Sequence, residues 1–219
     1  MYFVYAMPLL STPLDDLLAT RVQVAVLRTL TGETRARSGR EIARSARISH
    51  TPALAALMGF VARGIVHRED IGRTALFSIQ RTHPIVSTLI DPIFAAERAW
   101  PSHLFRLLAT WMQDLEHASR ATIMWAGLYG SLVRGDDDAE SDIDVCIVAA
   151  NDEATDRLRE AAATRGNVLE SVHLSTVYLA LPHLRHMHRT GSTLPSALMH
   201  DARTVYGTNT IDELMNDQG

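Results

Sequence analysis

Four residues in the second half of the chain carry the densest chemistry: Gly130, Ser131, Asp142 and Asp144. An apolar run from Ile123 leads into Gly130-Ser131, ten residues intervene, and a second apolar run follows as Asp142-Ile143-Asp144-Val145-Cys146-Ile147-Val148. Side chains alternate along a strand, so Asp142 and Asp144 share one face while Ile143, Val145 and Ile147 turn toward a core. Two carboxylates a dipeptide apart on a rigid strand make a hard-oxygen site suited to Mg²⁺ or Mn²⁺. A Gly-Ser turn that opens a helix offers close backbone approach, free N–H groups and a hydroxyl to phosphate oxygens. Together these features describe a site for a metal-bound triphosphate.

The pattern resembles the nucleotidyltransferase superfamily that includes DNA polymerase β, kanamycin nucleotidyltransferase and the minimal nucleotidyltransferases of prokaryotic toxin–antitoxin pairs. Its members carry a hydrophobic strand, Gly-Ser, a spacer of similar length, then Asp-hydrophobic-Asp. The resemblance implies a metal-dependent enzyme that moves a nucleoside monophosphate from an NTP to an acceptor hydroxyl. Asp142 and Asp144 would be the catalytic, metal-binding pair, holding two divalent ions, Mg²⁺ or Mn²⁺. Gly130 and Ser131 would hold the β and γ phosphates, and the acceptor would attack the α phosphorus with loss of pyrophosphate. Arg134 either joins them by pairing with phosphate or forms an ion pair with the acidic spacer. Asp136, Asp137, Asp138 and Glu140 in that spacer read as a solvated loop.

One departure stands out. Active members usually place a third carboxylate on the later strand, which here reads Val168-Leu169-Glu170-Ser171-Val172-His173-Leu174-Ser175-Thr176-Val177-Tyr178. Its one carboxylate, Glu170, does not share a face with His173, Ser175 or Val177, the positions aligned with the third carboxylate. Two outcomes follow: His173 serves as a base, or the domain binds nucleotide without turning it over. The second belongs to an alternative reading of the chain as a DNA-binding transcriptional regulator or antitoxin-like protein with a catalytically degenerate domain.

The elements around this motif predict an α/β domain with a small mixed sheet over 120–219. A helix over 151–164, a strand over 168–180, a helix over 182–189 and a short strand over 204–207 follow the second carboxylate. Ahead of it, 83–119 reads as a helical linker. There Thr82-His83-Pro84 breaks the pattern, a helix runs from Ile85 to Ala99, and a second begins at Pro101 with Leu104, Leu107, Leu108, Trp111, Met112 and Leu115 on one face. Trp100 and Trp111 read as core or interface.

The first third differs in charge. Residues 20–82 carry 11 Arg against four acids, whereas 83–219 carry 10 Arg against 19 acids, although the whole chain has a net charge of −4. This is the signature of a nucleic-acid-binding module joined to a different domain, or of chance clustering on a solvated face. A helix from Arg21 ends at Thr31-Gly32, Ser38-Gly39-Arg40-Glu41 fits a capping box, and Thr51-Pro52 starts a third helix that Gly64 closes. Two short strands, 65–69 and 75–79, then flank Asp70-Ile71-Gly72-Arg73. The order resembles the winged helix-turn-helix domains of bacterial and archaeal transcription regulators, and the domain is placed at 14–82. The resemblance puts His50, Thr51, Ala55 and Gly59 near bases and Arg40, Arg44, Arg47 and Arg73 near phosphates. The third helix is poor in side chains that read base edges, and winged helices also dock proteins. The fold class expected overall is α+β: a winged helix-turn-helix followed by a nucleotidyltransferase-like domain.

Composition bounds the rest. With 219 residues, 47% of them hydrophobic, the chain can bury a real core. Cys146 is the one cysteine and reads as a small buried hydrophobe. His183, His186 and His188 suggest zinc, but no cysteine or acidic neighbour completes a site in the sequence, so they read as surface residues. No apolar run spans a bilayer and no signal peptide is recognisable, so the expected location is the cytoplasm, without a membrane partner. The expected partners are DNA, an NTP and a protein partner or acceptor, with a homodimer expected if the chain follows winged-helix regulators.

Overall fold

A computed structural model describes residues 12–136, 141–166, 173–207 and 210–216. The chain divides into two compact units, residues 1–100 and 101–219.

In the first unit, α1 (Arg21–Thr31) starts where the Thr20 hydroxyl accepts from the Gln23 N–H. A two-residue strand β1 (Arg37–Ser38) runs straight into α2 (Gly39–Ser45). The capping box forms: the Ser38 N–H donates to the Glu41 carboxylate at 2.9 Å, and the Glu41 N–H donates back to the Ser38 hydroxyl. The Ser38 hydroxyl and N–H together hold the Glu41 carboxyl below its usual range. The third helix, α3 (His50–Ala62), begins two residues earlier than expected from Thr51 as cap and Pro52 as first helical residue, with Ser49 as its N-cap. The N–H groups of the whole first turn have no partner within a helix, so proline is tolerated at its third position as well as its first. The strands β2 (Val66–Ile71) and β3 (Thr74–Ile79) form a longer hairpin than the sequence suggests, closed by the two-residue turn Gly72-Arg73. The sheet order is β1-β3-β2, all antiparallel. Leu27, Leu30, Ile42, Leu57, Phe60, Ile65 and Phe77 form the core, each contributing roughly 1.5–3 kcal/mol by burial.

Of the segment expected as a linker, Ile85, Val86, Ile90 and Phe94 are buried in the first unit's core. A π-helical turn at Val86–Ile90 passes into α4 (Asp91–Ser119), which runs through Pro101 without a break. The predicted interruption is corrected there. Proline removes one backbone donor, and a 29-residue helix with an apolar face retains enough other contacts to continue.

The second unit is built on a four-stranded mixed sheet of β4 (Ile123–Tyr129), β5 (Ile143–Ala149), β6 (Leu174–Ala180) and β7 (Arg203–Gly207), in the order β6-β5-β4-β7. Pairing is antiparallel except between β5 and β6. One sheet face packs against Leu104, Leu108, Met112 and Leu115 of α4 and against Ala154 and Leu158 of α6 (Asp152–Arg165). The other packs against Leu181 and Leu184 of a helix at Leu181–Arg189, Leu198 of one at Thr193–Asp201, and Ile211 and Leu214 of one at Ile211–Asn216. Both faces are therefore core, not only the one that holds Ile143, Val145 and Ile147. Glu116 near the end of α4 locks the start of β4: its carboxylate accepts the Ile123 N–H and the Tyr206 hydroxyl, each at 2.6 Å. That bond pushes the Tyr206 phenol up to about 12.

Candidate active site

The chain leaves β4 at Gly130, whose backbone has φ 81° and ψ −156°. This conformation is essentially restricted to glycine. A single turn, α5 (Ser131–Arg134), follows and is closed by Gly135 in the left-handed region. β5 begins at Ile143, so Asp142 lies immediately before the strand and Asp144 within it. Alternation holds: Asp144, Cys146 and Val148 share a face, with the last two sealed in the core. Burial pushes the Cys146 thiol up to about 12, as befits an inert packing residue.

Asp144 is half-buried and Asp142 exposed. Among the described residues neither carboxylate accepts a hydrogen bond or forms an ion pair. Asp144 packs directly over Gly130, where an added Cβ would stand 2.3 Å from its Oδ2. The first strand's Gly-Ser turn and the second strand's carboxylate are thus one contiguous site. The Ser131 hydroxyl, half-buried, also has no partner among the described residues.

Register adds two neighbours of Asp144. Tyr129 is its partner on β4 and Ser175 its partner on β6. Burial and then the negative charge of Asp144 hold the Tyr129 phenol above its usual range. Sequence reasoning missed Tyr129, because alternation within one strand gives no register between strands. His173, just ahead of β6, accepts the Ile143 N–H through its backbone carbonyl at 2.9 Å and is exposed. Glu170 and spacer residues 137–140 lie outside the described residues.

Arg134 pairs with Asp136 at 3.3 Å with both side chains largely exposed, a contact weak enough to yield to a phosphate. His183, on the helix after β6, meets Asp152 at 3.5 Å, an acidic neighbour invisible in the sequence. Even so, no group of three or more His, Cys, Asp or Glu side chains is placed to hold a metal among the described residues. The carboxylate pair nonetheless suits a hard divalent ion, because Mg²⁺ is commonly held by one or two carboxylates with substrate phosphates and water supplying the rest. The unpartnered Asp144 carboxylate at the Gly130 cradle, with the exposed Asp142 two residues away in sequence, fits such an ion.

Residues 121–185 match the family model of the nucleotidyltransferase domain. The matched span runs from the residues before β4 to the helix after β6 and contains Gly130, Ser131, Asp142 and Asp144. It supports a nucleotidyltransferase domain in the second unit, and nucleotidyl transfer in general as its activity. No curated protein and no solved structure gives a match to the chain. No helix among the described residues is long and apolar enough to cross a membrane.

The DNA-contact candidates all lie in the first unit. Arg40, Arg44, Arg47 and Arg73 are exposed and have no carboxylate partner among the described residues. Arg28, Arg37, Arg63, Arg68 and Arg81 are paired with Glu97, Glu33, Asp16, Asp70 and Asp91. His50, Thr51 and Ala55 are exposed on α3, and Gly59 is half-buried. Arg47 has φ 54°, a left-handed conformation unusual for a residue other than glycine.

Proposed function

We propose that the protein is a metal-dependent nucleotidyltransferase that moves a nucleoside monophosphate from an NTP to a hydroxyl acceptor. The observation that carries this reading is the unpartnered Asp144 carboxylate packed on Gly130 of the Gly-Ser turn, with the exposed Asp142 two residues ahead of it. Asp142 and Asp144 would hold Mg²⁺ or Mn²⁺, which supplies charge neutralisation to the triphosphate. Gly130 lets the backbone approach a phosphate closely, Ser131 offers its hydroxyl, and Arg134 can exchange Asp136 for a phosphate oxygen. The acceptor oxygen bonds to the α phosphorus as the bond to the bridging oxygen breaks, releasing pyrophosphate. Positioning and charge neutralisation provide the rate. Calorimetric titration of each NTP with Mg²⁺ and again with EDTA tests the reading. Binding that requires the metal supports it; equal binding in EDTA, or none with any NTP, rejects it.

The first unit is read as a winged helix that joins this activity to DNA. Three helices and an antiparallel hairpin in winged-helix order support this, as do Arg40, Arg44, Arg47 and Arg73, which are exposed without a carboxylate partner among the described residues, as Arg21 and Arg35 also are. Arg47 adds a separate argument. The Ile48 N–H donates to the Ala43 carbonyl and the Arg47 N–H to the Arg44 carbonyl, a helix ending in which glycine is the usual left-handed residue. An arginine kept there at a cost of about 1 kcal/mol suggests a use for its charge. Arg47→Gly is expected to raise stability by about that amount, and to lower by about 1 the slope of log affinity against log salt for duplex DNA. Melting curves and salt titrations check both; an unchanged slope removes Arg47 from the DNA face.

A second reading is a DNA-binding regulator whose nucleotidyltransferase domain has lost turnover. It is favoured by Ser175 standing beside Asp144. Metal-dependent NTP binding without consumption of NTP in the presence of any acceptor, together with DNA binding, is its expected signature.

A further inference from the structure

Resting on the nucleotide-binding reading above, we infer that the carboxylate face takes one divalent ion with its nucleotide, and that Ser175 sets this number. The pairing of β5 with β6 is parallel and in register, Ile143 with Leu174, Asp144 with Ser175 and Cys146 with Val177. Residues paired this way share a face. The packing agrees, since Ile147 and its partner Tyr178 lie with one core, whereas Val148 and its partner Leu179 lie with the other. Ser175 is therefore the side chain next to Asp144 on the β6 side, and Tyr129 its neighbour on the β4 side. The groups that flank Asp144 are a hydroxyl and a phenol.

Charge and ligand chemistry turn this arrangement into a number. Two carboxylates balance one divalent ion, and Mg²⁺ completes its six ligands from triphosphate oxygens and water. A second ion in a two-metal site lies only about 3.5–4 Å from the first. It adds two positive charges and needs further anionic oxygen from the protein. Among the described residues the β6 neighbour of Asp144 is Ser175, a neutral and weak ligand, and His173, just ahead of β6, carries an imidazole, which suits zinc, copper or iron better than magnesium. A carboxylate at position 175 would stand next to Asp144 on the same face and supply what the second ion lacks.

The test counts ions, independently of any acceptor. The full chain is mixed with a saturating α,β-methylene NTP analogue and titrated with Mn²⁺, and bound metal is counted from the paramagnetic resonance of the free ion. The wild type and Ser175→Ala are expected to bind one Mn²⁺ per chain, and Ser175→Asp two. Two ions in the wild type overturn the inference, whatever the variant does. One ion in a folded Ser175→Asp that binds nucleotide as the wild type does overturns the role of position 175. If the wild type binds no metal–nucleotide and Asp142→Asn behaves identically, the underlying nucleotide-site reading falls, and the inference with it.

Discussion

Replacing Asp144 with Asn is expected to weaken metal-dependent NTP binding by about 100-fold or more, while leaving the protein as stable as before or slightly more so. The two effects have one cause. Asp144 is half-buried, packed against Gly130, and no donor or cation among the described residues offsets its desolvation. A carboxylate in that position is unfavourable to the empty fold and useful only when a cation arrives. The amide is nearly the same size, keeps the packing over Gly130 and removes the charge, so stability should change by about zero to +1 kcal/mol. Asp142→Asn should lose binding to a similar degree without the gain, because Asp142 is already exposed to water. Calorimetry with Mg²⁺ and thermal melts without it separate these outcomes. A marked loss of stability in Asp144→Asn would mean that the carboxylate is a structural group, and the metal reading would lose its main support.

The difference between the two aspartates was only partly legible in the sequence. The spacing Asp-Ile-Asp predicts one face for both, because alternation is a local property of any strand, but β5 starts at Ile143, so the alternation covers Asp144 and not Asp142. That Asp144 is enclosed and Asp142 open depends on which strands flank β5 and in what register, and no single segment encodes this. Tyr129 and Ser175 became neighbours of Asp144 for the same reason. His183 and Asp152 likewise met only once their two helices were packed.

Local signals fared well where they were redundant. Ser38 and Glu41 satisfy each other's backbone groups, so a capping box can be read from two residues and recurs intact. Signals that rest on one residue were weaker. Pro101 reads as a stop, yet α4 continues through it, because the loss of one donor is outweighed by the apolar face that carries Leu104, Leu108, Met112 and Leu115 into the second core. The six-residue helix at Ile211–Asn216 is too short for a periodic pattern to declare itself, and the helix at Thr193–Asp201, as long as the predicted one at Leu181–Arg189, went unread. What holds them is the burial of Leu198, Ile211 and Leu214 against the sheet, which is a tertiary fact.

Gly130→Ala is expected to damage fold and site together, for reasons that can be separated. The first is conformational: φ 81° with ψ −156° is a region closed to residues with a Cβ, and forcing alanine into it costs about 1–3 kcal/mol. The second is steric, since the new methyl would lie 2.3 Å from the Asp144 Oδ2. To avoid it, either the turn shifts away from β5 or the carboxylate swings off its packed position. Each response separates the Gly-Ser turn from the metal ligands. Melting should therefore occur roughly 5–10 °C lower, and metal-dependent NTP binding should fall with it. A double-mutant cycle with Asp144→Ala distinguishes the two terms, because removing the carboxylate relieves the collision and leaves the backbone strain. If the packing is as described, Gly130→Ala will destabilise the Asp144→Ala background less than the wild type. Additive effects would show that the turn and the carboxylate are energetically independent. The contiguous site, and with it the case for a phosphate and a metal meeting there, would then have to be abandoned.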